Sequence, residues 1–125
     1  LAAPEARPER LLLCAPALPD LWLSQYPDPR VLPDVIDVGG WPLGRPFLEE
    51  LRDLDPLVTV KGYGGRVHVI HGELDASVPL GVGRRYAAET GADLDVIPGA
   101  GHTFDSLAWT SAFHEAASAF LLSER

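Results

Sequence analysis

Val67-His68-Val69-Ile70-His71-Gly72-Glu73-Leu74-Asp75-Ala76-Ser77-Val78-Pro79 is the stretch on which the fold turns. Its first half, Val67-His68-Val69-Ile70, reads as a buried strand running from Arg66 to His71. Gly72 permits a sharp turn, and the acid Asp75 follows a few residues past the strand. Pro79 then opens a helical pattern that runs to Thr90 and stops at Gly91, with proline at the first turn and glycine just past the end. The same order of strand, turn and helix follows. Asp93 to Ile97 reads as another strand, stopped by Pro98-Gly99, and His102 follows in Gly99-Ala100-Gly101-His102-Thr103-Phe104. Ser106 to Leu122 reads as the longest helix, with Trp109, Phe113, Ala116, Phe120 and Leu121 at helical spacing toward a core.

Working toward the N-terminus, Phe47 to Leu54 has helical periodicity, and Asp55-Pro56 should end it because a residue before proline disfavours the helical region. Residues 16–46 carry prolines at 16, 19, 27, 29, 33, 42 and 46 and read as irregular, with Val35 to Val38 as a brief extended piece. Arg10 to Ala15 is a second buried-strand pattern closed by Pro16, and residues 1–9 read as a loop. The alternation of strands and helices implies an α/β fold in three layers, parallel strands with flanking helices. Three parallel strands make a thin sheet, so either this piece is marginal alone or other strands belong beside the first.

The net charge of −8 argues against nucleic acid and anionic membranes as partners, since both repel an acidic surface. No apolar run approaches the roughly 20 residues that span a bilayer. No signal peptide is visible, and a cytoplasmic location is the expectation. The chain holds no methionine, so the true N-terminus is expected upstream of Leu1. Cys14 is the one cysteine, which rules out an internal disulfide, and its apolar neighbours predict a small core residue.

In an open α/β sheet, ligands bind beyond the carboxyl ends of the strands. Asp75 and His102 both fall there. A carboxylate bonded to one ring nitrogen of a histidine fixes its tautomer and steadies the imidazolium, and the other nitrogen can then take a proton from a serine hydroxyl. Asp75 and His102 are thus the candidate catalytic pair. Glu73 is the rival acid, and His71 reads as a hydrogen-bonded structural residue. His68 and His114 read as non-functional. His71, Asp75 and His102 form no compact metal-ligand motif, so no metal is expected. Gly62, Gly64 and Gly65 precede a strand, whereas a phosphate-cradling loop follows one, and no cofactor is expected. Trp22, Tyr26 and Trp41, large rings in the irregular segment, are candidates for lining a substrate pocket.

The segments Val67–Pro79 and Val96–Phe104 resemble the acid-bearing and histidine-bearing segments of the α/β-hydrolases. The resemblance rests on Asp-x-x-Val-Pro at 75–79 and Gly-x-Gly-His at 99–102, and covers the C-terminal half of that fold. It implies that residues 10–15, 66–71 and 93–97 are the sixth, seventh and eighth strands, with residues 16–46 as a cap-like insertion in a partial domain spanning 1–125. Phe47 to Leu57 is similar to the segment joining cap to core in small bacterial esterases of the feruloyl- or cinnamoyl-esterase type. The family's triad runs nucleophile, acid, histidine, and this chain has the last two in that order. No Gly-x-Ser-x-Gly occurs, and Ser24, Ser77, Ser106, Ser111, Ser118 and Ser123 all lack the glycines of that elbow. The resemblance therefore implies a serine hydrolase acting on a small-molecule carboxylic ester. Its serine and oxyanion donors would lie in an N-terminal half of the same fold, and this chain would be inactive alone. The rival expectation is a hydrolase-like protein that binds without catalysing.

Overall fold

The computed structural model describes residues 8–124. They form two compact units, one of residues 18–56 and one of the rest. The larger unit is built on a three-stranded parallel sheet of β1 (Arg10–Cys14), β4 (Arg66–Gly72) and β5 (Asp93–Ile97), with β4 in the centre. The register pairs Leu12 with His68 and Ile70 with Asp95. Successive strand residues point to opposite faces, and that alternation sorts the flanking helices. Ile70 joins Leu12, Ile97, Ala100 and Phe104 in one core, against Trp109, Phe113 and Ala116 of α5 (Leu107–Leu121). His71, the next residue along β4, faces the other way, onto Gly83 of α4 (Leu80–Thr90). The sheet therefore carries helices on both sides, as the strand and helix alternation predicts.

Each element has a local cause. Gly91 ends α4 at φ 72°, a conformation glycine adopts without penalty. Ser106 caps α5, its side chain accepting from Trp109 N at 3.1 Å. The far end of α5 is held by the first residues of two strands. Arg10 donates to the carbonyls of Leu121, at 2.6 Å, and of Ser123, and Arg66 donates to Ser123 Oγ at 3.0 Å. Cations at a helix C-terminus meet unpaired carbonyls and the negative end of the helix dipole.

The smaller unit is more ordered than its proline content predicts. It holds a short helix α1 (Asp20–Leu23), a hairpin of β2 (Val35–Val38) and β3 (Trp41–Gly44), and helix α2 (Arg45–Asp53). Gly39 and Gly40 form the hairpin turn at φ 61° and 87°, and Asp37 accepts from Gly40 N. Leu48 and Leu51 on one side of α2 pack with Leu32 and Ile36. The unit therefore runs past residue 46, because α2 supplies half of its core. The chain leaves α2 at Leu54 and re-enters a helix at once, α3 (Pro56–Lys61), with proline in its first turn. Pro56 thus separates two helices where the sequence predicts only an end.

Two packing expectations fail. Cys14 is exposed rather than buried. It is the last residue of β1, which pairs with β4 on one side and with no strand on the other among the described residues, so one flank of the position lies open. Leu121 is 44% exposed, because the last turn of α5 passes the edge of the core that Phe120 still reaches.

Candidate active site

The loop after β4 and the loop after β5 are joined backbone to backbone. Glu73 N donates to Ile97 O at 3.0 Å, and Leu74 N donates to Ala100 O at 2.9 Å. Gly72 is required here. A Cβ at that position would come within 2.5 Å of Ala100 O and 2.6 Å of Gly101 O, two backbone atoms that cannot step aside. Gly99 adopts φ 70° and turns its N–H onto the Glu73 carboxylate at 2.8 Å. Glu73 therefore faces the base of the histidine loop rather than the histidine.

This junction brings Asp75 and His102 together. His102 Nδ1 lies 2.8 Å from Asp75 Oδ2. The acid side chain has no exposed surface, whereas the imidazole is 41% exposed. The other carboxylate oxygen, Oδ1, accepts from Ser77 N at 2.9 Å and Val78 N at 2.7 Å. Burial pushes the Asp75 carboxyl up, but the Val78 amide, His102 and the Ser77 amide together outweigh it and hold the group below the ordinary aspartate value. An ionised carboxylate can only accept, so His102 Nδ1 carries the ring hydrogen. Nε2 then offers its lone pair, and among the described residues it has no hydrogen-bond partner. A histidine so arranged can accept a proton from a hydroxyl brought to Nε2.

The histidine loop is anchored beyond His102. Phe104 sits at φ 50°, an uncommon backbone for a non-glycine residue, and is buried against Phe113 with ring centroids 5.1 Å apart. Thr110 Oγ1 donates to Phe104 O at 2.8 Å. A strained residue persists only where its surroundings hold it, and here ring packing and a side-chain bond from α5 do so.

Each remaining candidate has its own local surroundings. Trp22 and Tyr26 pack on the core of the smaller unit, Trp22 edge-on to Phe47 at 5.8 Å. Trp41 on β3 is 75% exposed. His68 bonds Asp95 Oδ2 at 2.9 Å and stacks on Phe120, and His114 is exposed. No group of three or more His, Cys, Asp or Glu is placed to hold a metal ion among the described residues. The amides of Ser77 and Val78 and the carboxylate of Glu73 are parts of the site that residue type alone does not reveal. The signal for the two amides was the tight turn after Asp75, which an aspartate favours by accepting from amides two and three residues on.

No protein-family model matches the chain, and no curated protein matches it. Solved structures do match. Est1E from Butyrivibrio proteoclasticus superposes with a TM-score of 0.86 at 25% identity, over 98% of this chain and 54% of that one. The structure of Est1E with ferulic acid bound gives 0.79 at 23% identity, with coverages of 98% and 54%. Alpha/beta hydrolase domain-containing protein 10 from mouse gives 0.70 at 22% identity, over 98% of this chain and 56% of that one. The chain thus spans about half the length of the solved structures it matches. This chain has the fold of the C-terminal half of an α/β-hydrolase.

Proposed function

We propose that the protein containing this chain is a serine hydrolase that cleaves carboxylic esters, with His102 as its base and Asp75 as the acid that orients it. The observation that carries this reading is the 2.8 Å contact between His102 Nδ1 and the buried Asp75 carboxylate. Its position past the ends of two adjacent parallel strands is where such folds place their chemistry. The likeness to Est1E supports an esterase over other hydrolases, and the bound ferulic acid in one of its structures supports an aromatic acyl group.

In this reading a serine from outside these 125 residues attacks the ester carbonyl. His102 Nε2 takes the serine proton and passes it to the departing alkoxide, which leaves as an alcohol. Water then attacks the acyl-serine; His102 takes one of its protons and returns it to the serine oxygen as the carboxylic acid departs. Asp75 stays ionised throughout and keeps the Nδ1–H tautomer. Trp22, Tyr26 and Trp41 remain candidates for contact with the acyl group. A positioned base of this kind contributes about 10²–10⁴-fold to the rate.

The test is hydrolysis of methyl ferulate and p-nitrophenyl acetate by the protein containing this chain. His102→Ala is expected to lower kcat by at least about 10³-fold. Unchanged turnover in that variant contradicts the assignment, and no turnover in the wild type favours a hydrolase-like binding protein.

A further inference from the structure

His71 stands one residue before the turn out of β4, and its side chain is fully enclosed. Nε2 lies 2.8 Å from the Val78 carbonyl oxygen. A carbonyl can only accept, so Nε2 carries the ring hydrogen and Nδ1 is the bare nitrogen. Nδ1 has no hydrogen-bond partner among the described residues. It faces the backbone of α4 at Gly83, where a Cβ would come within 2.5 Å of it. The same Nε2 is 3.4 Å from Asp75 Oδ2, the oxygen that His102 holds. Val78 is thus gripped from both sides: its N–H donates to Asp75 Oδ1 at 2.7 Å, and its carbonyl accepts from His71.

We propose that His71 is a positioning residue for the Asp75–His102 pair, tying the acid's loop to the central strand through the Val78 carbonyl. The inference rests on the reading of that pair as catalytic. β4 is paired on both sides and is the most constrained element of the sheet. The loop after it has no ladder of its own, yet its amides at 77 and 78 set the direction of the carboxylate. Without a donor at position 71 the buried Val78 carbonyl would be unsatisfied, a state that proteins avoid by moving the chain. Any such movement carries the Val78 amide away from Oδ1 and turns Oδ2 away from His102. Gly83 completes the arrangement, since a bare backbone lets α4 press the ring into a single orientation.

The test compares His71→Leu with His71→Gln, whose side-chain amide nitrogen can occupy the place of Nε2. The protein containing this chain, labelled with nitrogen-15 histidine, is followed by NMR, without substrate. In the wild type, His71 is expected to show protonated Nε2 and bare Nδ1, and His102 a downfield Nδ1 proton. The Leu variant is expected to lose that downfield signal or move it upfield, and the Gln variant to restore it. In the active protein the Leu variant should lower kcat by about 10²-fold, with KM within about twofold. Should the Leu variant fail to fold, Gly83→Ala presses on the same ring from the Nδ1 side and should move the same signal. A merely structural histidine would lower the melting temperature and leave the His102 proton and kcat unchanged. That result, or a His71 ring protonated at Nδ1, overturns the proposal. An inactive wild type would defeat the esterase reading alone, since the NMR result stands without it.

Discussion

Asp75 accepts from three partners, and each bears on its chemistry. Two backbone amides fix Oδ1, and His102 takes Oδ2. Asp75→Asn keeps the size of the group but offers His102 a different partner at Nδ1. The wrong tautomer then becomes accessible, and kcat is expected to fall by about 10⁴-fold with KM little changed. Stability should respond as well. The folded carboxyl titrates below its ordinary value of 3.8. Its ionised form therefore stabilises the fold at pH values above that, and the contribution is lost as the pH falls through the lower, folded value. Denaturant melts of wild type and Asp75→Asn should differ most near neutrality and converge as the pH falls below 3.8 through the lower, folded value. A difference that stays constant between those limits would show that Asp75 ionisation does not stabilise the fold. At this scale the sequence was informative about residue types near strand ends, because those follow from the alternation of strand and turn. It favoured Asp75 over Glu73 as the partner of His102 but could not eliminate Glu73. That choice depends on side-chain direction: Glu73 is turned to the Gly99 amide, and Asp75 into the buried turn.

The two loops work as one element because Gly72 lets them touch. Gly72→Ala places a methyl group against the carbonyls of Ala100 and Gly101. The expected cost is about 1–3 kcal/mol, as for overpacking elsewhere, together with a fall in kcat of about 10²-fold from displacement of the histidine loop. Thermal melts and steady-state kinetics on the same variant check both, and a change in stability without one in kcat would separate the loop junction from the chemistry. Strands β1, β4 and β5 were legible to within a residue or so because each is a short segment rich in Leu, Val or Ile, and Pro or Gly stands just past β1 and β5 and at the end of β4. The β2–β3 hairpin was not, although Gly39-Gly40 between Val38 and Trp41 is a turn signal. Pro42 argued against a strand, but β3 is one of only two strands in its sheet, and proline is tolerated at such an edge. Helix α3 was hidden for a related reason, since Pro56 both ends one helix and opens the next.

On the scale of the whole chain, the two units make different demands on their aromatic residues. Trp22 packs on the core of its unit, so Trp22→Ala is expected to cost about 2 kcal/mol in a melt, whatever its effect on substrate. Trp41 is largely open to solvent, and Trp41→Ala should leave stability within about 0.5 kcal/mol. A rise in KM for methyl ferulate in that variant would therefore report substrate contact rather than unfolding, and an unchanged KM would remove Trp41 from the pocket. The chain matches 54% of the length of Est1E, and the proposed nucleophile is a serine beyond these 125 residues. The most direct measurement is peptide mapping of the protein containing this chain after treatment with a fluorophosphonate. One labelled serine is expected, none of Ser24, Ser77, Ser106, Ser111, Ser118 or Ser123, with loss of the label in His102→Ala. Label on one of those six, or full labelling of the His102→Ala variant, would contradict the assignment.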